Sequence, residues 1–299
     1  MNKKRNQVFV YLYALAIIMV VDDHCGTQIG ILSKLFPYNS FYMPLFVFSS
    51  GYFFRLEKLE NTIIRRVKRI LIPYILYDMV MIIIAFGTDH LFHTHWFPGI
   101  SLSSVRTMIF EHPTTSLNDA AWFAIMLFWV SVIYSIIQSI MTSVMRWLSL
   151  RRVDRFFDSF LTVVLIAGGF ISIYLSVRHC NNGYRHWDEL RWLCRTAFFL
   201  QFYHLGYMFK CHVEPAFAKW NKGIVCLVCI TVNLILIVSG NDITFISILW
   251  MSSFNSVILP LVTSTTGIFF WYEVMSFLSE KIGETRPTSF IAIVRVGRY

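Results

Sequence analysis

One pattern repeats along the chain: apolar runs long enough to cross a bilayer, each closed by a short polar or charged stretch. A membrane-spanning helix takes about 20 mostly apolar residues and bonds its own backbone groups, so it needs no polar surface. Nine runs qualify, at roughly 7–23, 38–54, 70–87, 120–142, 157–177, 192–209, 222–239, 244–261 and 263–280, and a tenth begins near Ser289. Pro260 and Thr263–Thr266 divide one long apolar stretch between the eighth and ninth. The expected fold is all-α, a polytopic transmembrane helix bundle of about nine to ten spans, with residues 1–299 forming a single integral membrane domain. Composition agrees. Residues are 56% hydrophobic and 14% charged, where a soluble domain carries about 25% charged. The leading MNKKR and the apolar run after it look like a secretion signal. However, Asp22-Asp23-His24 stand where a small-residue cleavage site belongs, so the run reads as a retained first span.

The net charge is +9. Lys and Arg gather on the cytoplasmic side of membrane proteins. With the N-terminus inside and the runs alternating, 16 of them fall inside and 8 outside. That bias explains the basic balance with membrane lipids as the neighbours and no nucleic acid as a partner. The six Cys have no spacing that suggests a disulfide framework, and the Cys226-x2-Cys229 pair lies inside an apolar run.

Several constellations bear chemistry. Asp22-Asp23-His24 ends the first span on the outer side. His suits proton transfer near neutral pH, and a neighbouring carboxylate can steady its cation. The alternative is an ordinary wet helix end. The second span reads Phe41-Tyr42-Met43-Pro44-Leu45-Phe46, then Ser49-Ser50-Gly51-Tyr52. Pro44 removes a backbone donor, and the small residues admit another helix closely. Arg65-Arg66-Val67-Lys68-Arg69 precedes the third span, with Arg65 and Arg69 on one helical face. Guanidinium groups grip phosphate oxygens in pairs; the alternative is a topology signal that also touches anionic lipid. His90-x2-His93-x-His95 has close spacing, but no Cys or Glu stands nearby to complete a metal site, so none is expected. His204, Asp78, Asn233 and Glu273 lie within spans, where they either line a cavity or pair with a neighbour.

Taken in order, the segments YALAIIMVVDDH, FYMPLFVFSSGYFFR and RRVKRILIPYIL resemble acyltransferase family 3, membrane O-acyltransferases that decorate surface polysaccharides and glycoconjugates. Weaker echoes follow in AAWFAIMLFW around Trp122 and FFLQFYHLGYMFK around Gly206. The resemblance implies a multi-pass protein of the bacterial inner membrane with a cytoplasmic N-terminus. It implies that His24 is essential and that Arg65, Arg66 and Arg69 hold an acyl-CoA, expected to be acetyl-CoA, as co-substrate; from the residues themselves, Asp23 or Asp22 is expected to steady the imidazolium. Tyr13, Ser49, Trp122 and His204 are the expected cavity residues. The acceptor implied is a hydroxyl of a cell-envelope glycan or glycolipid. Two departures stand out. Tyr13 occupies the position eleven residues before His24 where the family carries Arg or Lys. The chain stops at Val296-Gly297-Arg298-Tyr299, where the tenth span should be starting, so a truncated last span is expected. The competing readings are a transporter or flippase of envelope precursors and an inactive relative. Release of free CoA from acetyl-CoA separates an enzyme from a transporter.

Overall fold

A computed structural model describes residues 3–25, 30–93, 95–96, 99, 101–110, 113–147, 154–179, 187–241 and 256–284. Every regular element among the described residues is helical. The elements are α1 (Lys3–His24), α2 (Gly30–Leu35), α3 (Tyr38–Tyr52), α4 (Leu59–Arg66), α5 (Ile72–Phe92), α6 (Leu102–Phe110), α7 (Trp122–Trp147), α8 (Asp154–His179), α9 (Trp187–Met208), α10 (Glu214–Phe217), α11 (Lys222–Val238) and α12 (Leu259–Glu284). Two π-helical turns, Val67–Leu71 and Phe209–Val213, join α4 to α5 and α9 to α10.

Among the described residues four stretches are long and apolar enough to cross a membrane: Gln7–His24, Leu59–Phe92, Trp122–Trp147 and Phe157–His179. This is fewer than the nine to ten spans expected, for two reasons. The eighth expected run and the start of the tenth fall largely outside the described residues. The second, sixth, seventh and ninth expected runs correspond to α3, α9, α11 and α12; α11 is apolar but has 17 residues, and the others pack against other helices and need not be uniformly apolar. α3 has 15 residues, about 22 Å of rise against an apolar thickness of about 30 Å. Most of it is buried, including Phe41, Val47, Phe48 and Ser49. The third run is part of a longer continuous helix, because α4, the π turn and α5 make up the single 34-residue rod Leu59–Phe92. Pro260 does not split two spans at its position; it lies in the first turn of α12, and Thr263–Thr266 lie inside that helix.

α3 and α9 form the centre. α8 runs along α9, α1 and α12 lie along α3, α7 packs on α9, and α11 backs α12. The α3–α9 crossing is a backbone contact with a glycine on each side. A Cβ at Gly51 would fall on the Tyr203 carbonyl, and one at Gly206 would fall on the Phe48 carbonyl. Without side chains at these two points the helices approach to main-chain distance, the packing mode expected where lipid offers no hydrophobic drive. Around the crossing the core is aromatic, with Phe9, Phe41, Phe48, Phe198, Phe199 and Phe209 buried. On the periphery, α5 exposes Leu76, Met79, Val80, Ile83 and Phe86, and α11 exposes Ile224, Leu227, Val228 and Ile235. Such stripes need an apolar solvent.

Substituting alanine at Gly51 or Gly206 should therefore separate α3 from α9, at a cost of about 1–3 kcal/mol or more. Alanine at Gly168, whose Cβ position is open, should be neutral or stabilising by about 0.5–1 kcal/mol. Thermal unfolding in detergent reads both; equal Tm for Gly51→Ala and Gly168→Ala would refute the direct backbone contact.

Candidate active site

The prolines explain how the basic end is built. Pro73 has no N–H to offer the Arg69 carbonyl four residues back, and Pro215 has none for Cys211. In each case the helix takes up the loss by widening one turn. The Ile72 amide donates to the Val67 carbonyl and the Glu214 amide donates to Phe209, both five residues back. Such turns rotate the side chains they carry and recur at functional sites. Here one carries Arg69 and the other Lys210.

Both cations face the same cavity. Its volume is about 510 Å³, and Tyr13, Ser50, Phe53, Arg55, Arg65, Arg66, Arg69 and Lys210 line it. The three arginines named from sequence are thus brought together, with Tyr13 on the wall. Arg66 donates to the Tyr203 hydroxyl at 3.0 Å, while its buried Nε has no partner among the described residues. Arg65 is committed to Glu57, donating to both carboxylate oxygens at 2.8 Å, and this contact holds the Glu57 carboxyl below its usual range. Arg69 and Arg55 are exposed, and the Lys210 ammonium sits 5.7 Å from the Tyr52 ring. Sequence reasoning missed Arg55, Lys210 and Tyr203. The signal was there, because Arg55 and Lys210 each close a segment matched to the family. It looked like ordinary topology charge, since periodicity alone does not show that separate helices converge.

His24 lies at the opposite end of α1, eleven residues and about 16 Å of helical rise beyond Tyr13. The ring is exposed, and its Nδ1 lies 2.8 Å from the Val20 carbonyl. A carbonyl only accepts, so Nδ1 carries a proton, and in the neutral ring Nε2 is the nitrogen with the free lone pair. Among the described residues that bond, and no hydrogen bond to Asp22 or Asp23, orients the ring, since residues one or two apart on a helix do not face one another. Both carboxylates turn to α3 instead. Asp23 accepts from the Tyr42 hydroxyl at 3.1 Å, and the buried Asp22 acts electrostatically on Tyr38. They pin the end of α1 that presents the imidazole.

The other expected cavity residues separate. Ser49 is buried beside Tyr13 with its hydroxyl unpartnered among the described residues, and Ser50 is the serine on the cavity wall. Trp122 is buried at the start of α7 under the Arg195 guanidinium, 5.2 Å from the ring, away from the basic cavity. His204 is a structural tie and not a cavity residue. Its Nε2 donates to Thr162, and its Nδ1 accepts from Tyr134, each at 2.9 Å, linking α7, α8 and α9. The order is fixed because the Thr162 hydroxyl already donates to the Asp158 carbonyl and Gln138 donates to the Tyr134 oxygen.

Two of the three other polar groups within the spans are likewise paired. Asp78 accepts from the Thr114 hydroxyl at 2.8 Å, and Asn233 bridges the Leu35 carbonyl and the Thr266 hydroxyl. Cys226 and Cys229 are free thiols on α11. No group of three His, Cys, Asp or Glu among the described residues could hold a metal ion.

Comparison with curated proteins and with solved structures returns no match. The model of the acyltransferase domain family matches residues 11–299, essentially the whole chain. The matched span carries the basic cavity, Tyr13 and His24 together, and the chain belongs to this family of acyltransferases.

Proposed function

We propose that the protein moves an acyl group, acetyl in the simplest case, from acyl-CoA in the cytoplasm to a hydroxyl of a cell-envelope glycan on the far side of the bacterial inner membrane. The observation that carries this reading is the convergence of Arg55, Arg65, Arg66, Arg69 and Lys210 on one cavity. Like charges repel, by several kcal/mol for close pairs at an effective dielectric constant of about 20. An occupant with several phosphates relieves that repulsion, and CoA carries three. The excess of Lys and Arg on this side supports a cytoplasmic N-terminus.

The donor lies with its phosphates among the arginines and its thioester directed along α1. Tyr13 stands where the arm leaves the cavity and offers a hydroxyl in place of a fixed charge. The acceptor hydroxyl meets Nε2 of His24, which removes its proton as the oxygen attacks the thioester carbonyl. The thiolate of CoA leaves, and the proton on the imidazolium goes to it or to water. While the ring is charged, Nδ1–H keeps its bond to the Val20 carbonyl, so the orientation of the base does not change during the step.

His24→Ala should fold as the parent does and lose about 10²–10⁴-fold in transfer rate, read as CoA release dependent on acceptor; retained activity would remove the base. Arg69→Glu should weaken CoA binding about tenfold or more, since a charged hydrogen bond of about 1.5–3 kcal/mol becomes a repulsion. Titration of purified protein with CoA measures it, and an unchanged Kd would sink the donor site. Pro73→Ala restores the missing amide and favours an ordinary α turn. It should lower CoA affinity by turning Arg69 away while Tm holds or rises; a lower Tm with unchanged affinity would contradict the role given to the π turn.

A further inference from the structure

A second cavity lies beside the basic one, and its charge is opposite. It measures about 190 Å³ and is bounded by Val8 of α1, Glu214 and Phe217 of α10, Lys222 of α11, and Tyr272 and Glu273 of α12. Glu214 is held by hydroxyls, accepting from Tyr52 at 3.0 Å and from Tyr272 at 3.4 Å. Glu280, also on the wall, is taken by the Lys222 ammonium at 2.7 Å. Glu273 differs. Its side chain is 3% exposed and lines the cavity, and its carboxylate has no hydrogen bond or ion pair with any described residue. The charges that act on it from a distance are those of Lys222 and Glu280. A carboxylate that opens onto a cavity with no protein donor among the described residues leaves its acceptors to an occupant that donates.

The neighbouring cavity says which donor. Tyr52 links the two linings: the Lys210 ammonium of the basic cavity sits over its ring at 5.7 Å, and its hydroxyl binds Glu214 of the acidic one. Lys210 and Glu214 are one helical turn apart, so an occupant with phosphates in the first cavity brings its next group to the second. Carboxylates exclude phosphate from this second space. Aromatic walls favour a flat group, and Phe217 and Tyr272 stand with ring centroids 6.2 Å apart. In a nucleotide donor, the flat group that donates hydrogen bonds is the amino-bearing base.

We infer that the acidic cavity binds the adenine base of the donor, with the Glu273 carboxylate accepting from its exocyclic amine. The inference rests on the reading of the basic cavity as the CoA site and deepens it. The arginines supply affinity for phosphate and are indifferent to the base; Glu273 supplies the preference for an amine over a carbonyl at the same ring position. A carbonyl there would face the carboxylate acceptor to acceptor.

The test uses the full chain in detergent and two ligands: CoA, and its analogue with hypoxanthine in place of adenine. The unaltered protein should bind CoA about tenfold more tightly, the worth of a hydrogen bond to a charged group. Glu273→Gln preserves shape and offers both an acceptor and a donor, so it should bind the two ligands within about threefold of each other. Equal binding of the two by the unaltered protein overturns the inference and leaves the CoA site standing. So does a preference that survives in Glu273→Gln. Stabilisation by magnesium or potassium that vanishes in Glu273→Gln, without any preference between bases, overturns it in favour of a cation. Failure of both ligands to bind removes the CoA reading and this inference with it.

Discussion

Both ends of the site hang on the crossing of α3 and α9. Because Gly51 and Gly206 let the two backbones touch, α3 is fixed at the centre although it is too short to span a membrane unaided. From that fixed position Tyr42 catches Asp23 and anchors the end of α1 that bears His24. From the other partner, Tyr203 of α9 receives Arg66, and the continuation of α9 delivers Lys210. A shift of α3 against α9 would move the base and the cation cluster in different directions. Van der Waals contact and close packing do most of the holding in lipid, so the small residues at this crossing matter more than any single hydrogen bond around it.

The electrostatic design follows the same economy of partners. Described cations away from the cavity are matched where they are buried or half-buried: Lys222 by Glu280, Arg195 by the Trp122 face and the Phe110 carbonyl. Around the basic cavity one carboxylate, Glu57, meets Arg65, and a phenol meets Arg66. Desolvating several cations beside one another is unfavourable unless an anion completes the set. Solvent screens Arg55 and Arg69, which keeps the cost moderate and leaves them able to reach an incoming phosphate. Glu214, a turn beyond Lys210, is held back from this cavity by Tyr52 and Tyr272, which stops it from neutralising Lys210 directly.

The helical class and the arginine cluster were legible because each rests on local signals: apolar run length and i,i+4 spacing. The residues that were misjudged depend on information that spacing does not hold. His204 looked like Glu273 in sequence, each an ionisable group in an apolar run. Only the packing of α7 and α8 against α9 shows that Tyr134 and Thr162 satisfy the first, while the second is left without a partner. Asp22 and Asp23 were credited to His24 because they are adjacent in sequence, and adjacency on a helix separates side chains instead of joining them. The described spans number fewer than the apolar runs for a related reason. Helices ringed by other helices are free to be short, like α3, or polar, like α12, and hydropathy then understates them. Pro73 and Pro215 were the readable cause of the π turns, but the use made of those turns becomes visible only when Arg69 and Lys210 meet.

Under the proposed function, the distance along α1 sets what the donor must be. Tyr13 marks the inner wall and His24 the far end, about three helical turns apart. Phosphates gripped at one end cannot themselves react at the other, so the acyl group has to travel on a thin extended arm. Along this stretch the Tyr13 ring stacks on Phe46 and Phe46 leans on Phe123, an apolar aromatic seam between α1, α3 and α7. An amide-bearing chain with few charges passes such a seam far more cheaply than a sugar or a phosphate does. Under the proposed function, separation of the anchoring charges from the reacting carbonyl is what would let one soluble metabolite acylate a hydroxyl it never meets in solution.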